Sequence, residues 1–143
     1  MGKNSITKKR VLFLCTGNSA RSQIAEGYLR NRAGGQYEVF SAGIHPAGVN
    51  FLAVKHMAEE GIDISKQYSK AVEEYKDSRF DYVITLCDNA KETCPVFPGK
   101  YKSLHWSIKD PAINGNAKEK HAAFREAVGH IRQKIQLFLK EEG

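Results

Sequence analysis

Cys15, Arg21 and Ser22 lie in one short segment between an apolar run and a stretch with helical periodicity. A loop between a strand and a helix N-terminus directs backbone N–H groups and the helix dipole toward an anion. An arginine can bind two oxygens of that anion at once, which a lysine cannot. The same positive field favours the thiolate form of Cys15, to which Ser22 can donate a hydrogen bond. The segment therefore predicts a cysteine nucleophile facing a tetrahedral oxyanion.

The residues expected to line this oxyanion site share the 15–22 segment, and they are Thr16, Gly17, Asn18, Ser19, Ala20, Arg21 and Ser22. Gly17 is predicted to supply a backbone conformation that a side chain would forbid. Asn18 is predicted to hold the loop through side-chain hydrogen bonds. The alternative is a buried cysteine followed by an ordinary turn, and the order of strand, glycine, arginine and helix argues against it.

Two more cysteines, Cys87 and Cys94, bring the total to three. An odd number of cysteines, with no signal peptide expected, favours a reducing cytoplasm and thiols with a chemical role. Zinc-binding pairs usually have two to four residues between them, so we expect no metal site from these two. Passive burial in the core is the alternative for both thiols. The histidines are expected to be structural or surface residues: His45, His56, His105, His121 and His130.

The elements that must position these thiols alternate along the chain. Strands are predicted at 11–14, 37–42, 80–86 and, more weakly, 101–107, and helices at 21–33, 49–60 and 117–140. The helix at 21–33 is predicted to bury one face, formed by Ile24, Ala25, Tyr28 and Leu29. This alternation is typical of a doubly wound α/β fold with a mostly parallel sheet, in which ligands bind at the carboxyl ends of the strands. Cys15 and Cys87 both lie at such ends.

Length and composition limit the remaining classes of function. The 143 residues predict one domain, 1–143, and 41% apolar with 27% charged residues is typical of a globular protein. The longest apolar run, residues 11–15, is far too short to cross a membrane. The net charge of +6 is either a solvated basic surface or an attraction for anions. The lysines are scattered, so nucleic-acid binding is not expected.

The sequence VLFLCTGNSARS at 11–22, followed by AEG at 25–27, is similar to the low-molecular-weight tyrosine phosphatase superfamily. Further motifs resemble, in the same order, its thioredoxin-coupled arsenate reductases: SAG at 41–43, GIDIS at 61–65, TLC at 85–87, CP at 94–95, HW at 105–106 and DP at 110–111. The resemblance implies a flavodoxin-like three-layer sandwich, with a four-stranded parallel sheet flanked by helices on both faces. It also implies Cys15 as nucleophile, Arg21 as anion ligand and Asp110 as general acid.

The reductase branch further implies that arsenate is reduced to arsenite by three cysteines without a cofactor. In that scheme Cys87 attacks Cys15 to form Cys15–Cys87, Cys94 then forms Cys87–Cys94, and thioredoxin reduces that disulfide. A monomer is expected. One alternative is a tyrosine phosphatase, or a weak phosphatase side activity. A phosphatase is disfavoured by Cys87 and Cys94, because a phosphatase with this loop needs only one thiol. It is also disfavoured by Ala20, since many phosphatases of the superfamily have a second cysteine at that position. A non-enzymatic oxyanion-binding or redox-sensing module is the other alternative.

A potassium ion bound beside the loop is a feature of some reductases of this branch. The residues that match its ligands here include Asn18, Glu26 and Ser41, but Tyr68 and Lys70 stand where those relatives have Thr and Asp. A lysine ammonium would repel a cation and could replace it. We therefore expect no metal here and a reaction that is insensitive to potassium.

Overall fold

The computed structural model describes residues 7–142. The strands are β1 Lys9–Cys15, β2 Tyr37–Gly43, β3 Tyr82–Thr85 and β4 Lys102–His105. The α-helices are α1 Arg21–Ala33, α2 Phe51–Glu59, α3 Asp88–Thr93 and α4 Ala117–Glu142, and a 3₁₀ turn spans Val72–Tyr75. Within residues 7–142 no helix combines the length and the apolarity that crossing a bilayer requires.

All four strands run parallel, in the order β2-β1-β3-β4. The central strand β1 pairs with β2 from Lys9 to Cys15 and with β3 from Val11 to Leu14. This arrangement confirms the α/β sandwich with a four-stranded parallel sheet. It also brings the carboxyl ends of β1 and β3 side by side, so the segments that follow Cys15 and Thr85 share one edge of the sheet.

The core is centred on β1, where every side chain from Val11 to Leu14 is fully buried. Successive side chains of a strand point to opposite faces, so both faces of the sheet are covered at this strand. An aromatic cluster extends the core from Phe13 through Trp106 to Phe138 on α4, with ring centroids 5.9 Å and 6.2 Å apart. The nucleophile candidate therefore follows a well-packed strand.

Helix α1 has the predicted bounds but not the predicted single buried face. Its first two turns are enclosed on all sides, since eight consecutive residues from Ser22 to Leu29 are buried. The predicted apolar positions Ile24 and Ala25 are among them, but so are polar Ser22, Gln23 and Glu26. Apolar periodicity could not reveal this, because the polar residues are buried for their hydrogen bonds: Ser22 and Gln23 bond within the loop, and Glu26 accepts from Ser41 on β2.

The remaining element bounds differ from prediction mostly at the ends. The strands predicted at 80–86 and 101–107 are shorter, because only their central residues pair with a neighbouring strand. The helix predicted at 49–60 begins at Phe51, since the Asn50 side chain accepts a hydrogen bond from the Leu52 N–H and so forms the N-cap. Helix α3 was not among the predicted elements. Its six mostly polar residues carry no apolar period from which to predict it.

Candidate active site

The oxyanion loop, residues 15–22, connects the end of β1 to the start of α1. Successive carbonyl groups of the loop accept hydrogen bonds from neighbouring segments. These carbonyl groups therefore point away from the enclosed centre of the loop. The donors are the Ile44 N–H to Cys15, the His45 N–H to Thr16, the Ala47 N–H to Gly17, the Gln23 and Ser69 side chains to Asn18, and the Asn50 N–H to Ser19. These bonds fix the loop along its whole length.

The outward carbonyls determine where the loop's N–H groups point. In a trans peptide the N–H of the next residue points opposite to the C=O, so the N–H groups of residues 16–20 point to the inner side. Within residues 7–142 no backbone N–H from Thr16 to Ser22 has a protein acceptor. Buried N–H groups are normally paired, so this ring of free donors at a helix N-terminus is suited to an anion.

Cys15 is the first residue of this loop and is only 2% exposed. Its Sγ is 2.9 Å from the Ser22 Oγ. Asn18 Nδ2 donates to the same Oγ at 2.7 Å and to the Ser41 Oγ at 2.9 Å. Because the Ser22 oxygen accepts from Asn18, its own proton is available to Cys15, which is the arrangement that stabilises a thiolate. The predicted side-chain hydrogen bonds of Asn18 are confirmed.

The prediction for Gly17 is wrong in its physical reason. The residue with a left-handed backbone is Asn18, with φ of 47°, and Asn is one of the few side chains tolerated there. A Cβ on Gly17 would only touch the Ala47 Cβ at 3.4 Å. The glycine that the loop requires is Gly43 at the end of β2, where a Cβ would lie 2.7 Å from the Asn18 backbone nitrogen.

Arg21 and Asp110 face each other at the mouth of the loop. The Arg21 Nη2 is 3.7 Å from the Asp110 Oδ2, and Nη1 donates to the Ile108 carbonyl at 3.0 Å. The guanidinium side chain is 12% exposed and the carboxylate 57% exposed. The bond to Ile108 attaches the Arg21 guanidinium to the segment after β4, and the Asp110 carboxylate lies beside it.

Cys87 reaches the oxyanion loop from the adjacent strand end. Its Sγ is 3.3 Å from the Thr16 Oγ1, which also accepts a hydrogen bond from Asn89 Nδ2 at 3.4 Å. Cys87 is also the N-cap of α3, because its sulfur accepts from the Ala90 N–H at 3.4 Å. The second thiol is thus in contact with the loop that holds the first, at the positive end of a short helix.

Cys94 lies just after α3 and is half-buried. The structure describes all three cysteines as free thiols. Burial raises the pKa of the Cys94 thiol, which makes it a weaker nucleophile where it stands. Lys91, His105 and Cys94 line the same shallow surface cavity. His105 bridges the Thr85 Oγ1 at 2.8 Å and the Asp88 Oδ1 at 3.1 Å, and so attaches the first residue of α3 to the sheet.

The residues that match the potassium ligands of some relatives do not fit a cation here. Lys70 is 6% exposed, and its Nζ donates to the Tyr68 carbonyl at 2.7 Å and lies 3.9 Å from the Glu26 Oε1. A cation beside Glu26 would meet that ammonium. Among residues 7–142 no three His, Cys, Asp or Glu side chains are grouped to hold a metal.

The sequence indicated Glu26 and Ser41 only as matches to a potassium site, and it did not indicate Gln23 as a site residue. Ser41 donates to Glu26 Oε1, and Gln23 Nε2 donates to the carbonyls of Asn18 at 2.9 Å and Tyr68 at 3.0 Å. The sequence signal for Gln23 and Glu26 is that they are polar residues next to the apolar Ile24 and Ala25 of α1, a signal that Ser41 on β2 does not have. His56 is buried and contacts His121 at 2.8 Å between α2 and α4, outside the site.

Comparison with known proteins gives consistent matches over nearly the whole chain. Residues 10–142 match the family model described as low molecular weight phosphotyrosine protein phosphatase. An arsenate reductase of Halalkalibacterium halodurans is 44% identical over 134 residues, covering 93% of this chain and 96% of that protein. The resemblance to the arsenate reductases of this superfamily is therefore confirmed.

Two solved structures show the same fold. One is described as an arsenate reductase in its oxidised state, with a TM-score of 0.81, 29% identity, and coverage of 94% of this chain and 99% of that one. The other is a thioredoxin-dependent arsenate reductase of Corynebacterium glutamicum, with a TM-score of 0.64 and 34% identity. That match covers 91% of this chain and 63% of the other.

Proposed function

This chain belongs to the low molecular weight phosphotyrosine protein phosphatase family, and from that premise we propose that it reduces arsenate to arsenite with Cys15, Cys87 and Cys94 acting in turn. The observation that carries the proposal is the contact of Cys87 with Thr16 of the oxyanion loop. A phosphatase needs only one thiol at this loop. A reductase needs a second thiol close enough to attack the first, because reduction of arsenic from As(V) to As(III) consumes two electrons.

In the first step the Cys15 thiolate attacks arsenic. The free N–H groups of the loop and the Arg21 guanidinium bind the arsenate oxygens and stabilise the charge that develops on them. Asp110 donates a proton to the departing oxygen, which leaves as water, and a Cys15–arsenic bond remains. The Ser22 hydroxyl keeps its hydrogen bond to the attacking sulfur.

In the second step the Cys87 thiolate attacks the Cys15 sulfur. The sulfur–arsenic bond breaks, its electron pair stays on arsenic, and arsenite leaves. The two thiols are oxidised to the Cys15–Cys87 disulfide, which balances the two electrons gained by arsenic. Cys94 then attacks Cys87, the Cys15 thiolate is released, and the Cys87–Cys94 disulfide remains.

A dithiol reductant must then reduce that disulfide, and we propose thioredoxin. The support is the thioredoxin-dependent relative of Corynebacterium glutamicum. Because turnover needs reduced thiols, we also propose that the protein works in the cytoplasm. We further propose that it is a single-domain monomer that uses no cofactor. Val96, two residues after Cys94, is 88% exposed, so a reductant can approach the chain next to this thiol.

The test is arsenate-dependent NADPH consumption with thioredoxin and thioredoxin reductase supplied. We expect sustained consumption by the wild type. We expect Cys94→Ser to form about one arsenite per molecule and then stop, because the Cys15–Cys87 disulfide cannot be transferred. Sustained turnover by Cys94→Ser, or no arsenate-dependent consumption by the wild type, would contradict the proposal.

Phosphatase activity is the second candidate, and the family model supports it. Phosphate is a tetrahedral oxyanion of the kind that the loop is built to bind, so we propose weak hydrolysis of phosphomonoesters as a side activity. Hydrolysis of para-nitrophenyl phosphate should require Cys15 and be unaffected by Cys87→Ser. A high phosphatase rate together with no arsenate reduction would make phosphatase the main function.

A further inference from the structure

Lys70 is a buried cation that no step of the proposed reaction uses. Three hydrogen bonds fix the residue, and one of them attaches it to Asn18 of the oxyanion loop. Its backbone N–H donates to the Asn18 Oδ1 at 2.8 Å, its carbonyl accepts from the Gly43 N–H at 2.8 Å, and its ammonium donates to the Tyr68 carbonyl. The Tyr68 ring covers the ammonium, with the ring centroid 4.6 Å from Nζ. Burial lowers the pKa of Lys70, and the nearby Glu26 carboxylate acts in the opposite direction.

The partner of this ammonium is the Glu26 carboxylate, which is 6% exposed. Arg30 binds its Oε2 at 2.6 Å, while Lys70 lies 3.9 Å from its Oε1. A buried carboxylate needs counter-charges to stay ionised. Lys70 is the counter-charge on the oxygen that faces the loop, since Ser41 donates its hydrogen bond to the same Oε1.

The Glu26 carboxylate sets the direction of the first hydrogen bond in a chain that runs to the nucleophile. A carboxylate can only accept, so Ser41 donates to it and the Ser41 oxygen is left to accept from the Asn18 amide. The second N–H of that amide goes to Ser22, whose proton is then directed to the Cys15 sulfur. A neutral group in place of the Glu26 carboxylate would let Ser41 reverse its hydrogen bond, and the Asn18 amide would then keep only its bonds with the Lys70 N–H and Ser22.

We propose that Lys70 is a positioning residue for Cys15: its tethered ammonium is the counter-charge of the buried Glu26 carboxylate, and through Ser41, Asn18 and Ser22 it orients the hydrogen bond on the nucleophilic sulfur. This deepens the proposed function, because it concerns the nucleophile of the same site. The Lys70 ammonium thus lies among the residues that match the potassium ligands of some relatives.

The experiment measures alkylation of Cys15 by iodoacetamide in a Cys87→Ser, Cys94→Ser background, where Cys15 is the sole thiol. It does not involve arsenate turnover, so it stays informative if the proposed reductase function fails. We expect Lys70→Met to slow alkylation at neutral pH by about tenfold, which corresponds to a shift of its pH profile by about one unit toward alkaline pH. Lys66→Met, which removes an exposed lysine of the same segment, is the matched control and should react like the parent protein.

A double-variant cycle separates this role from a purely structural one. Because Lys70 acts through Glu26, Glu26→Gln should slow alkylation as well, and adding Lys70→Met to Glu26→Gln should produce no further loss. If Lys70→Met alone does not fold, the double variant has no unpaired Glu26 charge and is compared with Glu26→Gln directly. Alkylation of folded Lys70→Met within twofold of the parent protein, or a double variant slower than Glu26→Gln, would overturn the proposal.

Discussion

The oxyanion loop and the segment that contains the other two thiols are built in opposite ways. The loop, residues 15–22, has successive outward carbonyls bonded to neighbouring segments, and Asn18 and Ser22 are fully buried. The relay segment, residues 87–97, contains a six-residue helix in which only Ala90 is buried. Attack on arsenic needs a nucleophile held in one geometry, whereas transfer of a disulfide needs sulfurs that can move toward each other. A rigid first thiol and a second pair on a segment with little buried surface meet both needs.

The largest effect should come from the rigid side of this comparison. Cys15→Ser should abolish arsenate reduction while leaving the fold intact, because an unactivated hydroxyl is a far poorer nucleophile than a thiolate. The measurement is arsenate-dependent NADPH consumption together with a thermal melt. Measurable turnover by this variant would show that another thiol makes the first attack.

The next largest effect should come from Arg21→Lys. A lysine loses the bidentate contact with the oxyanion and the hydrogen bond to the Ile108 carbonyl, so we expect a loss on the order of 100-fold in kcat/KM. Arg32→Lys, an exposed change near the end of the same helix, is the control and should be neutral. Near-normal activity of Arg21→Lys would mean that the loop's N–H groups bind the anion without the guanidinium.

Within the relay segment, the step in which Cys94 attacks Cys87 should depend on pH. Burial raises the pKa of Cys94, so its reactive thiolate is the minor form at neutral pH. The rate of this step should therefore rise with pH, about tenfold per unit below that pKa. Rapid-quench trapping of the Cys15–Cys87 and Cys87–Cys94 disulfides after one turnover measures it. A rate independent of pH between 6 and 8 would place another event, such as unwinding, ahead of the chemistry.

Oxidation should change the two regions differently in hydrogen exchange. If the helix continued between Cys87 and Cys94, their Cα atoms would be about 10 Å apart. A disulfide tolerates about 4.4–6.8 Å, so its formation must unwind α3. We expect amide exchange in residues 87–97 to increase severalfold on oxidation, while residues 11–14 of β1 stay protected. Equal protection of 87–97 in both redox states would refute the conformational change.

The smallest expected effect is that of potassium. With the Lys70 ammonium beside Glu26, replacing potassium by a bulky organic cation at fixed ionic strength should leave the rate and the melting temperature unchanged. Kinetic and melting measurements in matched chloride salts test this. A potassium-specific rise in either quantity would mean that the rigid region contains a cation site despite Lys70.

The sequence allowed most of the sheet and the central features of the site to be predicted. Apolar runs that end at cysteines predicted Cys15 and Cys87 at one edge of a parallel sheet. At that edge Cys87 contacts Thr16, the residue that follows Cys15. Helix α3 could not be predicted, since six mostly polar residues carry no periodicity and the Cys87 cap that starts them is a tertiary arrangement. The unusual backbone conformation predicted for Gly17 belongs instead to Asn18. The φ angle of each loop residue depends on the hydrogen bonds that neighbouring segments make with the loop, and the sequence does not record them.

What the sequence by itself determined is the set of reactive groups and their order: a thiol after a buried strand, an arginine at a helix start, and two later thiols separated by a polar stretch. Those are local properties, fixed by residue type and spacing. Only the tertiary structure decided how Cys15 is supported from behind, because Glu26, Ser41 and Lys70 come from three separate segments of the chain. Their hydrogen bonds exist only once the sheet and α1 have packed together, and no local pattern records them.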